Sequence, residues 1–219
     1  MKILEVRNLA IPDVKVIRFA RFHDHRGYFA ESFRRSDFQN SSDLSFLQNV
    51  DFLQCNESYS LKGTVRGLHF QWEPFMGKLI RTLSGHMVDL VLDVRNGSPT
   101  FGKIIAYDMP NDDASEFGEW IWVPPGFAHG NFFKKNSQIE YFCSGEYNPN
   151  GEAGISPLAS DLDWSLCEPQ LSRSFSALIP GISLITEKDR KGYSLAEWKQ
   201  NHNSEKFLYI GQDKRETAT

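Results

Sequence analysis

The amino-acid sequence predicts an all-β fold, a sandwich or small barrel, with helices confined to the ends of the chain. Short segments rich in β-branched and aromatic residues recur at a spacing of roughly ten residues. Clusters of Gly, Pro, Asn and Ser separate them, as in "NGSPT" at 96–100 and "NPNGEAG" at 148–154. Such a series of short strands and turns is typical of sandwiches and barrels.

The predicted elements follow this pattern along the chain. The strands are 14–19, 27–33, 52–60, 65–71, 78–85, 86–95, 101–109, 119–124, 130–135 and 138–147. A short helix is predicted within 37–48, where Ser and Asp favour caps, and another over 194–202. The result is a β-rich body over about 14–147 and a less regular region over about 148–219, whose polar end "GQDKRETAT" is expected to fray.

Composition narrows the class of protein. The 219 residues, 40% of them hydrophobic, suffice for one sizeable domain or for one domain with an extension. The net charge is −4 and no long run of Lys or Arg occurs, so no nucleic-acid partner is expected. The N-terminus lacks a signal-peptide core, and no apolar stretch reaches the about 18 residues of a membrane span. We therefore expect a soluble cytoplasmic protein with no membrane partner.

The cysteines indicate a reducing compartment. Cys55, Cys143 and Cys167 are odd in number and widely spaced, and no CxxC pair occurs. This pattern indicates neither a disulfide framework nor a zinc ribbon. Free thiols in the cytosol are the expected state.

The stretch "RGLHFQ" at 66–71 contains the first candidate functional residue, His69. Strict alternation along a strand places Gly67 on the same face as His69, and Arg66 on the opposite face. A glycine there is expected to clear space beside the imidazole. Three interpretations of His69 stay open at this point: a solvated strand residue, a metal ligand, or an acid–base catalyst.

The segment "HMVDLVLDVR" at 86–95 raises a related question. Alternation places Asp89 and Asp93 on one face of a strongly β-forming strand. Two carboxylates on such a face need charged or hydrogen-bonding partners, or water.

A metal site has weak support. The run Pro124-x-Gly126-x-x-His129 resembles the second half of the metal signature of cupins, but Gln71 stands where the first half requires a ligand. Metal sites normally need three or four His, Cys or carboxylate ligands, and His69 and His129 are the two plausible ones here. We expect no metal.

Acid–base chemistry fits the same residues better. A neutral imidazole accepts a proton near physiological pH, and a carboxylate beside it stabilises the imidazolium that forms. A lysine such as Lys78 supplies a positive charge for a developing oxyanion, and a tyrosine hydroxyl can return a proton from another side. These groups suit proton abstraction α to a carbonyl.

Six segments together resemble one enzyme family, the dTDP-4-dehydrorhamnose 3,5-epimerases. They are "DHRGYFAESF" (24–33), "QCNESYSLKGTVRGLHFQ" (54–71), "GKLIRTLSGHMVDLVLDVRNGSPTFGK" (77–103), "WIWVPPGFAHG" (120–130), "IEYF" (139–142) and "ITEKD" (185–189). The resemblance implies a cupin-like jelly-roll β-sandwich with short peripheral helices, mostly C-terminal. It also implies an epimerase domain over 1–190 and a C-terminal extension, a helix and polar tail, over 191–219.

The resemblance further implies a reaction. The family epimerises a nucleotide-diphospho-4-keto-6-deoxy sugar at C3 and C5, where the C4 ketone acidifies both protons. Inversion takes a proton from one face of the ring and delivers one to the other, so two groups on opposite sides are required. Neither a cofactor nor a metal is implied, and the family forms homodimers.

The resemblance assigns roles residue by residue. Among the catalytic residues, His69 is the implied base and Asp189 its carboxylate partner. Lys78 would stabilise the enolate oxygen, and Tyr141 would be the acid on the opposite face. The implied substrate-binding residues are the phosphate-binding Arg26 and Arg66, His129 at the sugar or oxyanion, and the nucleotide or sugar contacts Glu31, Gln54, Asn56, Glu152 and Lys188.

Departures from the family pattern lie toward the nucleotide. Glu146 stands where an aromatic residue usually stacks on the base, and the adjacent Tyr147 is the candidate substitute. Alternatives therefore stay open. The protein could invert only C3 or only C5, isomerise the keto group, or use a GDP- or CDP-linked sugar. A sugar-nucleotide binding cupin without turnover and a metal-dependent cupin are the further alternatives.

Overall fold

The computed structural model describes residues 1–210, so the predicted fraying of the tail 211–219 lies outside the described residues. Thirteen strands dominate the described chain. They are Ile3–Asn8 (β1), Lys15–Ala20 (β2), Phe22–Asp24 (β3), Gly27–Phe29 (β4), Gln54–Ser60 (β5), Val65–Gln71 (β6), Lys78–Ser84 (β7), His86–Asp93 (β8), Ile104–Pro110 (β9), Phe117–Val123 (β10), Phe127–Phe133 (β11), Ser137–Cys143 (β12) and Glu152–Gly154 (β13).

The helices are short. The α-helices are Arg35–Asn40 (α1), Pro169–Ser176 (α2), Glu187–Arg190 (α3) and Leu195–Gln200 (α4), and 3-10 turns occupy Ser42–Leu47, Ile179–Gly181 and His202–Lys206. Local sequence accounts for their starts. Pro169 opens α2, and a capping box of Ser194 and Glu197 opens α4. Within residues 1–210, no helix is both long enough and apolar enough to cross a membrane.

Two antiparallel sheets form the sandwich. The six-stranded sheet has the order β1-β2-β10-β7-β12-β5, and the five-stranded sheet has the order β13-β6-β11-β8-β9. Strands β3 and β4 form a separate hairpin. The all-β sandwich with short peripheral helices is confirmed, although the strand predicted over 27–33 ends at Phe29.

The two sheets are covered on both sides, which gives the molecule four layers. The helix α1 and the first 3-10 turn cover the outer face of the six-stranded sheet, with Phe38, Leu44 and Leu47 buried against it. An apolar cluster that includes Val91 and Ile121 fills the space between the sheets. Because both faces of the central strands are covered, β8 and β11 are buried almost throughout. Most of their residues are apolar, as buried strands require, and Asp89, His129 and Asn131 are among the polar exceptions.

The C-terminal region forms the fourth layer. Trp198 and Phe207 are buried in the same core cluster as Leu90 of the five-stranded sheet. Residues on both sides of the predicted 190/191 boundary therefore share one apolar core. Division into a domain over 1–190 and an extension over 191–219 stays a prediction.

A β-bulge changes which face Arg66 occupies. His69 pairs with His129 and Arg66 pairs with Asn131, so the register between β6 and β11 shifts by one residue. The extra residue in β6 restores Arg66 to the side of His69, since a bulge places two residues opposite one. The expectation that Arg66 and His69 occupy opposite faces is therefore wrong.

Candidate active site

A cleft opens between the two sheets, at one end of the apolar cluster that fills the space between them. It consists of two adjoining cavities of about 120 and 280 Å³, and both are lined by His69, Lys78 and Tyr141. His69 belongs to the five-stranded sheet, whereas Lys78 and Tyr141 belong to the six-stranded sheet. A ligand in this cleft therefore lies between an imidazole on one side and a phenol on the other.

His69 forms a dyad with Asp189, the carboxylate assigned to it by the resemblance. Nε2 of His69 lies 2.7 Å from Oδ1 of Asp189. The short helix α3 positions the carboxylate, and its N-cap Thr186 accepts a hydrogen bond from the Asp189 N–H at 3.1 Å. Since Nε2 donates to Asp189, Nδ1 is the nitrogen left to accept a proton.

The charge on Asp189 is stabilised by this pairing. Burial alone would raise the pKa of the Asp189 carboxyl, but the hydrogen bond from His69 and its charge outweigh burial, so this pKa lies below its usual value. The carboxylate is thus ionised at neutral pH. It is suited to orient the imidazole and to stabilise an imidazolium.

Two glycines near His69 have different roles. Gly67 has φ of +100°, and a Cβ there would lie 2.5 Å from Cα of Gly130, so this glycine allows β6 to approach β11. Gly154 of β13 pairs with His69, and a Cβ there would lie 3.1 Å from Cδ2 of the ring. Space beside the imidazole therefore comes from Gly154, and the expectation that Gly67 provides it is wrong.

His129 forms a second imidazole–carboxylate pair next to the first. Its Nε2 lies 2.7 Å from Oδ1 of Asp89, and both side chains are buried. Burial raises the pKa of the Asp89 carboxyl, and the nearby His129 and Lys78 counteract only part of this effect. The pair answers the question of what partners Asp89. Asp93 instead binds Arg95, Ser98 and Thr100, at the far end of β8.

Lys78 and Tyr141 lie on adjacent strands of the facing sheet. Burial lowers the pKa of the Lys78 ammonium, although Cys143, Asp89 and Glu152 act in the opposite direction. Burial also raises the pKa of the Tyr141 hydroxyl. A lysine cation that is partly dehydrated and a phenol that keeps its proton suit an oxyanion contact and a proton donor, respectively.

Polar side chains surround the mouth of the smaller cavity. Gln54 accepts a hydrogen bond from the Tyr147 N–H at 2.8 Å and donates to Asn56 at 3.0 Å. The Tyr147 hydroxyl donates to Glu152 at 2.8 Å, and Lys188 also donates to Glu152. The structure therefore brings these residues together with His69 and Lys78, as the resemblance implied, with Lys188 lining the adjoining larger cavity.

The cations assigned to phosphate are placed differently from one another. Arg66 lines the larger cavity and donates to Ser60 Oγ at 2.9 Å. Arg26 lies in the turn of the β3–β4 hairpin with 77% of its side chain exposed, and its ion-pair partner is Asp24. Arg26 and Glu31 do not line either cavity of their own chain, so the structure does not join them to the rest of the predicted site.

The donor atoms of the cleft are not arranged for a metal ion. Within residues 1–210, His, Cys, Asp and Glu side chains form no group of three or more that would hold one. Both imidazoles use Nε2 to contact a carboxylate. The absence of a metal and of a cofactor stays a prediction.

Comparison with known proteins identifies the family. The sequence model of dTDP-4-dehydrorhamnose 3,5-epimerases matches residues 8–206. The chain belongs to the dTDP-4-dehydrorhamnose 3,5-epimerase family. This is a family of isomerases, and the protein is accordingly assigned to the sugar-nucleotide epimerases.

Individual relatives support the same assignment. The chain is 38% identical over 194 residues to the dTDP-4-dehydrorhamnose 3,5-epimerase of Sinorhizobium fredii, which covers 87% of this chain and 89% of that protein. It resembles the RmlC epimerase of Mycobacterium tuberculosis with a TM-score of 0.76 and 30% identity over 97% of each chain. The Legionella pneumophila epimerase, solved with dTDP-4-keto-L-rhamnose, has a TM-score of 0.75 and 29% identity and covers 94% of this chain and 98% of that one. The predicted jelly roll is confirmed.

Several residues around the epimerase cleft were not predicted as site residues. Gln71 binds two loops together, since its Nε2 donates to the carbonyls of Pro74 and Glu146 and its Oε1 accepts from the Asn148 N–H. Alternation placed Gln71 on the face of His69, but only the fold shows what it contacts. Ser58 and Asn131 also line the larger cavity. No sequence signal distinguished them from ordinary polar strand residues.

Proposed function

We propose that this epimerase inverts C3 and C5 of a nucleotide-diphospho-4-keto-6-deoxy sugar. The observation that supports this most strongly is the placement of the His69–Asp189 dyad and Tyr141 on facing sheets, with Lys78 lining the same cleft. Inversion at carbon needs a base and an acid on opposite sides of the ring, and this arrangement supplies both.

The proposed reaction uses these residues in a fixed order. Nδ1 of His69 removes the proton from a carbon next to the C4 ketone, and the electrons of that bond form an enolate whose oxygen faces the Lys78 ammonium. The Tyr141 hydroxyl then donates a proton to the opposite face of the carbon. Water reprotonates the phenolate, and the imidazolium, stabilised by Asp189, releases its proton to solvent.

Substrate identity and assembly are part of the proposal. The family relation favours a dTDP-linked sugar, with Gln54, Asn56, Arg66, His129, Glu152 and Lys188 as contacts.

We also propose a homodimer in which the β3–β4 hairpin brings Arg26 and Glu31 to the cleft of the other subunit. The exposed Phe29 of that hairpin supports this, at 71% exposure. Three free cysteines are consistent with a cytoplasmic location.

Hydrogen exchange tests the reaction directly. In D₂O with a dTDP-4-keto-6-deoxyglucose substrate, we expect deuterium at both C3 and C5, detected by NMR of the product.

His69→Ala should abolish exchange while nucleotide binding is retained, because the base is lost but the nucleotide contacts stay. Tyr141→Phe should retain exchange and lose inversion, because the imidazole still removes the proton.

The chain offers a matched control for His69. His86 also pairs with a carboxylate, Asp108, with Nε2 and Oδ1 2.8 Å apart, but it lies outside both cavities of the cleft. His86→Ala should leave exchange unchanged. Absence of exchange with dTDP-, CDP- and GDP-linked 4-keto sugars would overturn the proposed function. Deuterium at one carbon alone would restrict it to a single-carbon epimerase.

A further inference from the structure

Asn131 is a buried amide in the cleft that the reaction described above does not use. The residue is 4% exposed and lines the larger cavity. Within residues 1–210, its Oδ1 accepts no hydrogen bond from the protein. The Oγ of Ser58, which lines the same cavity from the facing sheet, is likewise buried and unpartnered.

A buried amide without a hydrogen-bond partner destabilises the protein unless a group in the cavity forms that hydrogen bond. A buried polar group without a hydrogen bond loses its contacts with water and gains nothing in return, which destabilises the protein. Most buried polar groups therefore have partners in the fold, and the half-buried Asn96 also has one, since it donates to the Ser204 carbonyl at 2.8 Å. The Oδ1 of Asn131 and the Oγ of Ser58 have no such partner among residues 1–210, and both residues line the larger cavity. Their arrangement fits a polar group supplied by a ligand.

The strand register places Asn131 between two parts of the site. Asn131 pairs with Arg66 across β6 and β11, while His129, two residues earlier on the same face, pairs with His69. The Asn131 amide thus lies one residue pair along the two strands from His69 and His129. It lies beside Arg66, the proposed phosphate-binding residue. A substituent that reaches Asn131 must lie between the reacting carbons and the phosphate.

The chemistry of the substrate class leaves one group that fits. A 4-keto-6-deoxyhexose linked through C1 has hydroxyls only at C2 and C3, since C4 is a ketone, C6 a methyl group and C5 carries the ring oxygen. The C3 hydroxyl changes direction when C3 inverts. The C2 hydroxyl does not, and C2 lies between the phosphate-bearing C1 and the reacting C3.

We propose that Asn131, with Ser58, binds the C2 hydroxyl of the sugar and makes the enzyme selective for substrates that carry it. This inference rests on the proposed function. The amide both accepts and donates hydrogen bonds, so it holds the hydroxyl in one orientation while C3 reacts. A sugar without that hydroxyl leaves the amide unpartnered, and sites built to bind a hydroxyl discriminate strongly against such analogues.

The test compares two substrates that differ in this hydroxyl alone. The selectivity is the kcat/KM of dTDP-4-keto-6-deoxyglucose divided by that of its 2-deoxy analogue. Both rates are measured by deuterium exchange. Asn131→Leu has a similar volume and no polar group, so it should lower this ratio about tenfold, the effect of one lost hydrogen bond. Its thermal unfolding midpoint should be unchanged or higher, because a buried unpartnered amide is removed.

Two further variants separate this role from a structural one. Ser58→Ala should also lower the ratio, which keeps the test valid if Asn131→Leu does not fold. Asn96→Leu removes an amide that is bound within the fold, so it should lower stability and leave the ratio unchanged.

Each outcome decides the matter. Equal loss of kcat/KM for both substrates in Asn131→Leu, or an unchanged ratio in that variant and in Ser58→Ala, would overturn the role of Asn131 and leave the epimerase function standing. No turnover of either substrate by the unmodified protein would overturn the proposed function and this inference with it.

Discussion

Lys78 differs from Lys188 and Arg66, the other cations that line the cleft, because it has no hydrogen-bond or ion-pair partner among residues 1–210. Lys188 donates to Glu152, and Arg66 donates to Ser60 and to the Tyr59 carbonyl. Across residues 1–210, no carboxylate forms an ion pair with the Lys78 ammonium. An unpaired, partly dehydrated cation interacts strongly with a negative charge that develops during a reaction, because few waters or counter-charges have to be displaced.

This environment predicts the alkaline limb of the pH–rate profile. The protonated Lys78 is the form that stabilises an enolate, and burial lowers its pKa below the 10.5 of a free lysine. We expect kcat/KM to fall as pH rises through this lowered pKa. The pKa of Tyr141 is raised above 10.0, so the phenol does not limit activity first. The measurement is the exchange rate against pH.

A conservative variant isolates the contribution of Lys78. Lys78→Arg replaces the ammonium with a group that stays protonated throughout the accessible range. Its residual activity should persist to higher pH than that of the unmodified protein. An alkaline limb at the same pH in both proteins would assign the titration to another group.

The resemblance named four catalytic residues that the structure brings together, while their roles stay a prediction. His69, Lys78, Tyr141 and Asp189 come together around one cleft although they are distant in sequence. Tertiary contacts that no motif encodes were beyond prediction. One example is the Oδ1 of Asn131, which has no hydrogen-bond partner in the part of the chain that the structure describes, because this depends on the positions of two sheets rather than on neighbours in sequence.

At the scale of elements, strand patterning was informative and irregular segments were not. Strand β6 was predicted over its observed bounds, because its aromatic and β-branched residues lie between clear turns. Strand β1 was missed because charged residues interrupt its apolar positions. The helix α2 was missed because it is eight residues long and its burial rests on Leu171 and Phe175 alone.

The bulge in β6 is the element on which the geometry of the cleft depends. Gly67→Ala would place a Cβ 2.5 Å from Cα of Gly130 and 2.7 Å from the His129 carbonyl oxygen, so the two strands would have to separate. We expect destabilisation of more than about 2 kcal/mol from the clash and the positive φ together. Loss of most activity should follow, since β6 holds His69 and Arg66. Urea unfolding and exchange rates measure the two effects.

Gly97 provides a control for backbone conformation alone. It has φ of +82°, but a Cβ there meets nothing within 4 Å. Gly97→Ala should therefore cost about 1 kcal/mol through backbone strain and leave activity intact. Equal destabilisation by the two variants would show that close strand approach at Gly67 is not what requires glycine.

At the scale of the whole molecule, the four layers explain why a small cleft can be rigid. The space between the two sheets is filled by apolar side chains at one end and lined by the polar side chains of the cleft at the other. Helices or loops cover the outer faces of both sheets. The strands that hold His69 and Tyr141 are thus fixed by packing on both faces. Sequence patterning predicted the sandwich and the helix over 194–202, but not that this region covers the five-stranded sheet. That contact depends on how distant segments such as those of Trp198 and Phe207 pack together.

The proposed homodimer makes a prediction at this scale. If Arg26 acts in the other subunit, His69→Ala and Arg26→Ala impair different parts of one shared site. Co-expression of the two variants should restore about a quarter of full activity, since half of randomly formed dimers are mixed and each mixed dimer has one intact site. The measurement is the activity of the co-expressed mixture, and mixed dimers separated from it should show about half of full activity.

A pair of variants within one subunit serves as the control. His69 and Asp189 belong to the same cleft of the same chain. Co-expression of His69→Ala with Asp189→Asn should therefore restore nothing. A monomer in sedimentation analysis, or no recovery with Arg26→Ala, would remove the support for the shared site.

The alternation along β5 has a practical consequence for labelling. Asn56 faces the cleft, while its neighbour Cys55 faces solvent on the other side of the same strand. The other two cysteines, Cys143 and Cys167, are buried. A thiol-reactive fluorophore should therefore attach at Cys55, one residue from the cleft-lining Asn56 and on the opposite face of the strand. The native chain thus provides an attachment site for an optical reporter of cleft occupancy.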